Sequence, residues 1–410
     1  MSALAFISLE LEMPKTGRKD LLGSTKVHLE SSIQDTCMGW STAFHLLNTT
    51  DTAFVDKMVN ACMASDNPLV QLRLGLGSGS SLSWGPRQPS YILNHRSVLQ
   101  GLTGQASYAI RLNTADALWR MSKVQKVTAR KGKISQIVEA IAKENQIEET
   151  VIEETDGDGL YIQNYCPDTQ FILNRLRPRA VNSKGRGNYQ LFIKNGALHF
   201  HTPDYQSRVL EVHYFSSGNE DLVFADHSTE SRADGASDLR IVAYDPYEGQ
   251  TKEILSLPEK TLKLAESQPS PIPGFRITLP YHLSGNRPQE ANQMACVLRE
   301  TARMDTYHLE MKQISSLRVE KGDFVNLVIL TNAAATSPWS GLYYVNQVNR
   351  GILDNKLVSK LLMTRSEINM TNSGIKAVGQ PLNVRAVQSS ELTKGGGGDG
   401  RTVTLDVQPA

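Results

Sequence analysis

The chain has 410 residues and a formal net charge of +1, with 40% hydrophobic and 21% charged residues. This length predicts two or three domains, and the balanced charge excludes a field of one sign that would select nucleic acid or an anionic membrane as the main partner. No apolar run approaches the roughly 18 residues that cross a bilayer, and the N-terminus lacks the features of a signal peptide. We therefore expect a soluble cytoplasmic product whose cysteines are reduced: Cys37, Cys62, Cys166 and Cys296.

Residues 1–125 are predicted to be a mainly β domain. The segments ALAFISLELEM and STKVHLESSI alternate apolar and polar residues, and residues 68–100 return to strands joined by a Gly/Ser turn. One stretch indicates instead a helix that begins behind Asp51, a suitable cap. Its apolar residues recur at helical spacing: Phe54, Val55, Met58, Val59 and Cys62.

Residues 126–205 follow a different pattern, which predicts a small α+β domain. The segment GKISQIVEAIAKENQI is an amphipathic helix with one apolar stripe, formed by Ile134, Ile137, Val138, Ile141 and Ala142. The strand LYIQNYC follows, and then a helix capped by Asp168 and ended by Pro178. The inward-facing residues of that second helix are Phe171, Ile172 and Leu176. A hairpin ends the unit, because Asn195-Gly196 is a strong signal for a two-residue turn.

Residues 206–375 are predicted to hold a connector and a second β domain. The first part is polar, with one strand at SDLRIVAYDP and a proline-rich connector at ESQPSPIPGF. The segment NRPQEANQMACVLRETARM is a helix whose Asn286 and Gln289 resemble a capping box. Four strands follow, at TYHLEMKQI, DFVNLVIL, GLYYVNQVNRGI and KLVSKLLMTRS. Residues 376–410 form a tail in which a Gly-rich tether precedes RTVTLDV.

The order of these segments resembles the phage baseplate hub family, which includes the late control protein D group and the hub part of the type VI secretion valine-glycine repeat spike proteins. The resemblance is carried by the helix at 134–147, by Gln163 in the next strand, and by the Leu198 and Phe200 pair. The helix Asp168–Leu176 matches the family's D-x-x-F-L-x-x-L pattern, with Ile172 where Leu is commoner. In the second half, VEKGDFVNLVI and GLYYVNQVNRG with a closing LLMTR resemble the family's last barrel.

The resemblance implies a mainly β fold with an α+β insert. Two tail-tube-like β-barrel domains, each with a helix, would occupy 1–125 and 206–375 and flank the small α+β domain at 126–205. It also implies a homotrimer whose six similar barrels form a ring between a six-fold tail tube and a three-fold spike. The implied partners are the tail tube, spike, tape-measure and baseplate wedge proteins, without membrane insertion or sequence-specific nucleic acid. The implied location is the virion tail baseplate, after assembly in the host cytoplasm.

No catalytic residue, cofactor or metal site is predicted. The segment GLGSGSS at 75–81 lacks the Gly-Lys-Ser/Thr of a phosphate loop and is predicted to be a hairpin loop. The segment EETDGDG at 153–159 offers Glu154, Asp156 and Asp158 to calcium, but it lacks a distal bidentate Glu and is predicted to be a solvated turn.

Four other features each allow two interpretations. His199 and His201 alternate on one strand face near His213, either as the start of a zinc site or as a polar face. A basic run is formed by Arg175, Arg177, Arg179, Lys184 and Arg186. It either lines a lumen or contacts an acidic partner, or it is a solvated face. Trp84 and Trp339 either anchor an interface or cap a barrel end. The segment RTVTLDV either adds as a strand to a neighbour or is a disordered tail.

These observations favour a structural, non-enzymatic hub of a tailed, contractile phage. One alternative is the hub of a bacterial contractile injection system. A second is a tail-associated cell-wall hydrolase, which would need a Glu/Asp pair or a metal triad in a cleft. A third is a free-standing carbohydrate-binding β protein, which would stay monomeric.

Overall fold

The computed structural model describes a mainly β protein. It describes residues 4–12, 19–21, 30–37, 39–64, 69–78, 81–84, 88–100, 107–205, 209–214, 226–231, 239–245, 250–257, 275–279, 294, 297, 307–314, 319–332, 335–336, 341–353 and 356–365. No helix within these ranges is long and apolar enough to span a bilayer. The predicted helix after Asn286 lies largely outside them, although Met294 and Val297 are helical. The described residues also leave out Trp339, Cys296, the side chain of His213 and the whole tail at 376–410.

The N-terminal part has eight described strands and one long helix, as the residue pattern predicts. The strands are β1 (Leu4–Glu12), β2 (Lys19–Leu21), β3 (Glu30–Thr36), β4 (Thr42–Thr49), β5 (Leu69–Ser78), β6 (Ser81–Trp84), β7 (Gln88–Gln100) and β8 (Ser107–Ala115). Helix α1 (Thr52–Ala64) begins immediately after Asp51. Strands β5 and β6 pair with Ser78 opposite Ser81, which confirms that GLGSGSS belongs to a hairpin.

The small α+β unit is built from short elements around one core. They are α2 (Ala117–Met121), β9 (Gln125–Lys133), α3 (Ile134–Glu144), β10 (Thr150–Ile152), β11 (Asp158–Pro167), α4 (Asp168–Phe171), β12 (Gln190–Lys194) and β13 (Ala197–His201). The predicted second helix is present but not regular, because α4 continues as a π-helical turn to Leu176 and then a 3-10 turn to Arg179. Asn195 and Gly196 both have positive φ, 53° and 86°, which confirms the hairpin turn.

The third segment adds ten described strands. They are β14 (Val209–Tyr214), β15 (Asp226–Ser231), β16 (Leu239–Asp245), β17 (Gln250–Leu257), β18 (Phe275–Leu279), β19 (Tyr307–Ile314), β20 (Phe324–Asn332), β21 (Ala335–Thr336), β22 (Gly341–Leu353) and β23 (Lys356–Arg365). The five predicted strands of this segment are confirmed as β16, β19, β20, β22 and β23. The other five were not predicted.

Strands from both ends of the chain form one continuous sheet of fifteen strands. Its main path runs β15-β19-β23-β22-β3-β4-β8-β7-β5-β1-β2, with β6 beside β5 and with β14, β20 and β21 branching from β22. The antiparallel pair β3–β22 is the seam that joins the N-terminal and C-terminal parts, from Ser31 opposite Ile352 to Thr36 opposite Gln347. The path has two ends, so the described strands do not close into a barrel. Three smaller sheets are β10-β13-β12, β9-β11 and β17-β16-β18.

The core of the small unit forms around α3 and the turn after α4. All five residues of the predicted α3 stripe are buried, and so are Phe171, Ile172 and Leu176. They pack against Leu191, Leu198 and Phe200 of the β12–β13 hairpin. The sequence pattern therefore predicts this core correctly, because the apolar residues of each element recur at the period of that element.

The predicted cap role of Asp168 is wrong. The residue at the cap position is Pro167, and no side chain caps α4 there. The buried Asp168 carboxylate instead accepts hydrogen bonds from Lys126 Nζ at 2.5 Å, Asn145 Nδ2 at 2.9 Å and Gln163 Nε2 at 3.0 Å. Three side-chain donors from β9, the end of α3 and β11 converge on one carboxylate, so Asp168 ties these elements together.

Candidate functional site

The β12–β13 hairpin contacts the seam, so the three parts of the chain meet at one junction. Phe192 of the hairpin packs with Cys37 behind β3 and with Phe324 and Tyr344 of the C-terminal part, in one buried cluster. The Gly39 N–H donates to Leu191 O at 3.4 Å, and the Cys37 N–H donates to Asn346 O at 2.8 Å. The junction is therefore a packed contact with backbone hydrogen bonds on both sides of Cys37.

The Cys37 thiol is an uncharged part of this junction. It donates to Val345 O at 3.6 Å and accepts from the Tyr344 hydroxyl at 3.6 Å. Burial raises the pKa of Cys37 to about 11, and burial also raises the pKa of Tyr344 well above its usual value. Both groups stay protonated at neutral pH, so Cys37 lacks the thiolate that nucleophilic or metal-binding chemistry requires.

Three charged side chains of the junction form ion pairs between the hairpin and the turn before β20. Lys194 Nζ lies 2.8 Å from Asp323 Oδ1 and 3.3 Å from Glu320 Oε2, and the Asp323 side chain is fully buried. From the same turn, Lys321 Nζ donates to Ser41 Oγ at 2.5 Å in the N-terminal part. The Ser41 N–H in turn donates to Asp116 Oδ2 at 2.7 Å. Buried pairs of this kind fix geometry, since separating them leaves a charge without its partner in a low-dielectric region.

Gly322 allows the turn to approach the hairpin this closely. Its φ is +79°, and a Cβ placed there would lie 2.8 Å from Phe192 Cζ. Phe192 is itself almost fully buried, so its ring has little room to shift. The Lys-Gly turn that carries part of the family resemblance is thus a packing requirement of the junction.

The two histidines of β13 lie beside this junction and bind each other. His199 stacks on Phe192 with ring centroids 4.8 Å apart, and its Nδ1 lies 3.0 Å from His201 Nε2. The Nδ1 of His201 lies 2.7 Å from Thr202 O. Burial is the main cause that lowers the pKa of His199, to about 2, and the His201 and lysine charges act in the same direction. Burial also lowers the pKa of His201. His201 is buried and His199 is partly buried, so the pair is a neutral element of the packing rather than an exposed polar face.

The acidic turn at 153–159 also has protein partners. Glu154 Oε1 lies 2.5 Å from Lys133 Nζ, and Asp156 Oδ1 accepts from the Gly157 N–H at 2.9 Å. Glu153 accepts from Asn182 Nδ2 at 2.7 Å and from the Thr202 hydroxyl at 2.7 Å. Among the described residues, no group of three or more His, Cys, Asp or Glu side chains is arranged to hold a metal ion.

The basic run does not form one surface, and the solvated-face interpretation is wrong for its centre. Arg179 is buried and donates to Arg175 O at 2.8 Å, while Arg177 Nε donates to Tyr189 O at 2.6 Å. Arg186 forms an ion pair with Asp204. Guanidinium groups here satisfy backbone carbonyls at the irregular end of the π and 3-10 turns, a need that residue composition does not reveal.

The β9–β11 pair, called the ribbon below, has an exposed face on which Val127, Leu160 and Ile162 lie beside charged residues, with Lys131 opposite Leu160. Of the ten exposed large hydrophobic residues in the described part, five belong to it or adjoin it. Their exposed fractions are 62% for Val124, 61% for Val127, 50% for Leu160, 54% for Ile162 and 73% for Tyr165. A sequence signal exists in retrospect, since LYIQNYC alternates, but alternation alone does not say which face is buried.

Charged and polar side chains share the other face of the ribbon with the buried Tyr161, which lies opposite Arg130. Arg130 donates two hydrogen bonds of 2.8 Å each to the Glu144 carboxylate of α3, and Lys126 binds Asp168. The Thr128 hydroxyl donates to Gln163 Oε1 at 3.0 Å across the two strands. A bulge between Gln163 and Cys166 ends the regular pairing, with Tyr165 at φ 47°.

Comparison with known proteins identifies the fold. No family model matches the chain, and no curated protein matches it in sequence. Among solved structures, a tail protein from Neisseria meningitidis MC58 superimposes with a TM-score of 0.56 at 10% identity, over 89% of this chain and 97% of that one. The 43 kDa tail protein of prophage MuSo2 from Shewanella oneidensis gives a TM-score of 0.52 at 10% identity, over 88% and 98%.

A chain of a Francisella protein complex has a similar fold over part of its length. A chain of the Francisella PdpA–VgrG complex gives a TM-score of 0.51 at 9% identity, and the match covers 92% of this chain and 60% of that one. Identities this low establish the fold alone. The resemblance seen in the order of the sequence segments is confirmed at that level: the chain has the fold shared by these two tail proteins and by a chain of the PdpA–VgrG complex.

Proposed function

We propose that this protein is the hub of a tail baseplate, a structural virion component without catalytic activity. Three copies form a ring that joins a six-fold tail tube to a three-fold spike. The observation that carries this proposal is the extent of the shared fold, which covers nearly the whole of two phage tail proteins and 89% and 88% of this chain. A fold shared over such lengths includes both the β parts and the small unit between them.

The open ends of the large sheet support self-assembly. Strands β2 and β15 end the described path, and an unpaired strand edge favours pairing with another chain. In the proposed ring, the N-terminal and C-terminal parts, 1–125 and 206–375, act as two tube-like barrel units whose edges neighbouring copies complete. The small unit at 126–205 holds the two parts at a fixed angle through the junction.

The rigid junction suits a mechanical role. Lys194, Lys321 and Asp323 are ion-paired or hydrogen-bonded between parts that are distant in sequence. A component that transmits force between tube and spike needs this fixed geometry and no catalytic group. We propose the tail tube, spike, tape-measure and baseplate wedge proteins as its partners, the virion baseplate as its location, and the 376–410 tail as a segment for contacts with neighbours.

Native mass measurement of the purified protein, alone and co-expressed with the product of the neighbouring spike gene, tests the proposal. We expect a mass of three copies, and a complex of three copies with the spike. Electron microscopy of the trimer should show a ring with six similar lobes. A chain that stays monomeric under both conditions contradicts the proposal.

A hub of a bacterial contractile injection system is the second candidate, favoured by the PdpA–VgrG likeness over 92% of this chain. The genes beside this one distinguish the two, because a phage hub lies among head and tail genes and a secretion hub among secretion genes. A tail-associated hydrolase is tested by a zymogram with peptidoglycan, on which we expect no clearing.

A further inference from the structure

Two arginines face each other on the open face of the large sheet. Arg96 of β7 lies directly opposite Arg111 of β8, and both side chains are exposed. The other face of these strands is buried, with Ile110 and Leu112 fully covered. Side chains directly opposite each other in an antiparallel pair have Cβ atoms about 4.5–5.5 Å apart, and like charges in such a pair are destabilising. The two guanidinium groups therefore repel each other across one patch of solvent.

The neighbouring strands supply no carboxylate to balance this pair. Strands β4, β8 and β7 are adjacent in the sheet, and none of them contains Asp or Glu. In the row of residues that crosses the sheet through the pair, Leu46 of β4 follows Arg111, and the first acidic residue is Glu30 of β3. The two strand spacings between Glu30 and Arg111 amount to about 10 Å, a separation at which salt largely screens exposed charges.

Four other arginines show what this pair lacks. They donate to an acidic side chain or to a backbone carbonyl oxygen: Arg130, Arg177, Arg179 and Arg186. Within the part of the chain that the structure describes, the side chains of Arg96 and Arg111 have no such acceptor. The protein thus keeps a local repulsion that its own groups do not offset, and natural proteins break such a rule mainly at functional sites.

A pair of amides lies in the next row of the same face. Asn94 of β7 is opposite Asn113 of β8, and Asn113 Nδ2 donates to Asn94 Oδ1 at 2.7 Å. Each amide carries two N–H groups, so this bond orients the pair and leaves further donors. The patch therefore presents guanidinium and amide N–H groups side by side, which are the donors that oxyanions accept from.

We propose that Arg96 and Arg111 bind a phosphate group between them, with the Asn94 and Asn113 amides as additional donors. The planar fork of arginine matches the oxygens of a phosphate with two parallel hydrogen bonds. Two guanidinium groups carry two positive charges, which a phosphate of charge about −1.5 to −2 neutralises and a single carboxylate does not. The bound anion replaces the repulsion by two ion pairs. The assignment goes beyond the proposed function and is independent of the number of copies in the assembly.

Substitution of Arg111→Gln tests the site, with Arg120→Gln as the matched control. Arg120 is also an exposed arginine, but it lies on α2 and donates to the Tyr91 hydroxyl at 3.3 Å. The full-length protein and both variants are titrated into inorganic phosphate, and phosphorus NMR of the ligand gives the dissociation constants. We expect Arg111→Gln to raise the dissociation constant at least about tenfold, because it removes a charge-assisted contact, and Arg120→Gln to leave it unchanged.

Melting temperatures give a second measurement and a check on folding. In dilute chloride buffer, Arg111→Gln should melt at the same temperature as the wild type or higher, because it removes a like-charge pair. Phosphate at the same ionic strength should raise the melting temperature of the wild type and of Arg120→Gln, since a ligand of the folded state stabilises it. The melting temperature of Arg111→Gln should not respond. An equal response of all three proteins overturns the proposal.

Two further ligands distinguish the sources of the anion. A thymidine hexanucleotide that binds at least about tenfold more tightly than inorganic phosphate, and loses this advantage in Arg111→Gln, assigns the site to a nucleic-acid backbone. Equal affinity for each phosphate group assigns it to isolated phosphate. A hexaglutamate peptide that binds more tightly than both overturns the phosphate assignment in favour of an acidic protein segment. Phosphate binding that is absent, or unchanged by Arg111→Gln, overturns the site and leaves the proposed function as it stands.

Discussion

The β12–β13 hairpin and the β9–β11 ribbon belong to the same small unit, yet they use their faces in opposite ways. The hairpin is buried on both faces, by the α3 core on one side and by Phe324 and Tyr344 on the other. The ribbon buries one face, which includes Tyr161, and leaves the face with Val127, Leu160 and Ile162 exposed. The contrast teaches that the hairpin's neighbours on both faces come from its own chain, whereas the described part of the chain covers only the inner face of the ribbon.

The largest expected effect concerns the inner face of the ribbon. Asp168→Asn removes the charge on which Lys126, Asn145 and Gln163 converge, while the side-chain volume stays the same. We expect the free energy of unfolding to fall by roughly 3 kcal/mol, because the buried site loses hydrogen bonds to a charged acceptor, while Lys126 keeps Glu144 at 3.4 Å. Chemical denaturation measures this loss.

The control for Asp168→Asn is Glu154→Gln. Glu154 forms an ion pair with Lys133 on the solvent side of the same unit, and it is exposed. Exposed pairs contribute little to stability, so this variant should unfold at the same denaturant concentration as the wild type. If Asp168→Asn also unfolds at the same denaturant concentration as the wild type, the hydrogen bonds to Asp168 do not stabilise the ribbon.

Two glycine substitutions test the contact between the hairpin and the C-terminal part. Gly322→Ala and Gly185→Ala share the strain of a positive φ, +79° and +72°, but a Cβ at 322 meets the Phe192 ring and one at 185 meets nothing within 4 Å. We expect Gly322→Ala to lose about 1–3 kcal/mol more than Gly185→Ala, which is the usual cost of overpacking. Equal losses in urea denaturation would mean that the turn does not press on the hairpin.

The folded protein should also be sensitive to acid, through His199 of the hairpin and His45 of β4. Burial holds the folded-state pKa of His199 near 2 and that of His45 near 4, while an unfolded histidine titrates near 6.5. Below pH 6.5 the unfolded chain binds protons that the folded chain does not, so stability is complete above pH 6.5 and falls as the pH decreases. The expected slope is about 1.4 kcal/mol per pH unit for each histidine.

His199→Gln isolates the contribution of the hairpin to that slope. Between pH 6 and pH 4.5 its unfolding free energy should decrease less steeply than that of the wild type, by about 1.4 kcal/mol per pH unit. Denaturation curves recorded at several pH values give both slopes. Parallel slopes would indicate that His199 can take up a proton in the folded protein.

The smallest effect is a difference in reaction rate. Because burial raises the pKa of Cys37 to about 11, its thiol should react with iodoacetamide at pH 8 about tenfold or more slowly in the folded chain than in urea. Cys62, which is only partly buried, serves as the internal comparison. Peptide mass spectrometry follows both residues in one sample, and equal rates in the folded protein would contradict a closed junction.

The sequence predicts those parts of the fold whose information is local. The α3 stripe, the Asn195-Gly196 turn and the alternating strands β22 and β23 each carry a period or a turn preference that only one structure satisfies. The helix after Asp51 and the burial of Phe171 and Leu176 follow in the same way. The order of these elements is sufficient to indicate the family resemblance.

The parts that the sequence does not predict depend on distant partners. The β3–β22 seam merges what the patterns assigned to two domains, and no local signal names a partner in the other part of the chain. Strand β9 was missed because QKVTARKGK has few apolar residues, and its charges are paired with Glu144, Glu154 and Asp168 from other elements. The role of Asp168 was mistaken because a cap and a buried ion-pair partner have the same residue type.

The seam has a consequence for how the protein is made. Cys37 and Val345, which contact each other there, are 308 residues apart in sequence. At about 5–20 residues per second, a ribosome needs on the order of 15–60 s to synthesise the chain between them. During that interval β3 has emerged without its partner, and its edge is open to other nascent chains. Production at lower temperature or with a chaperone should therefore increase the yield of native protein more than a change in the mature surface would.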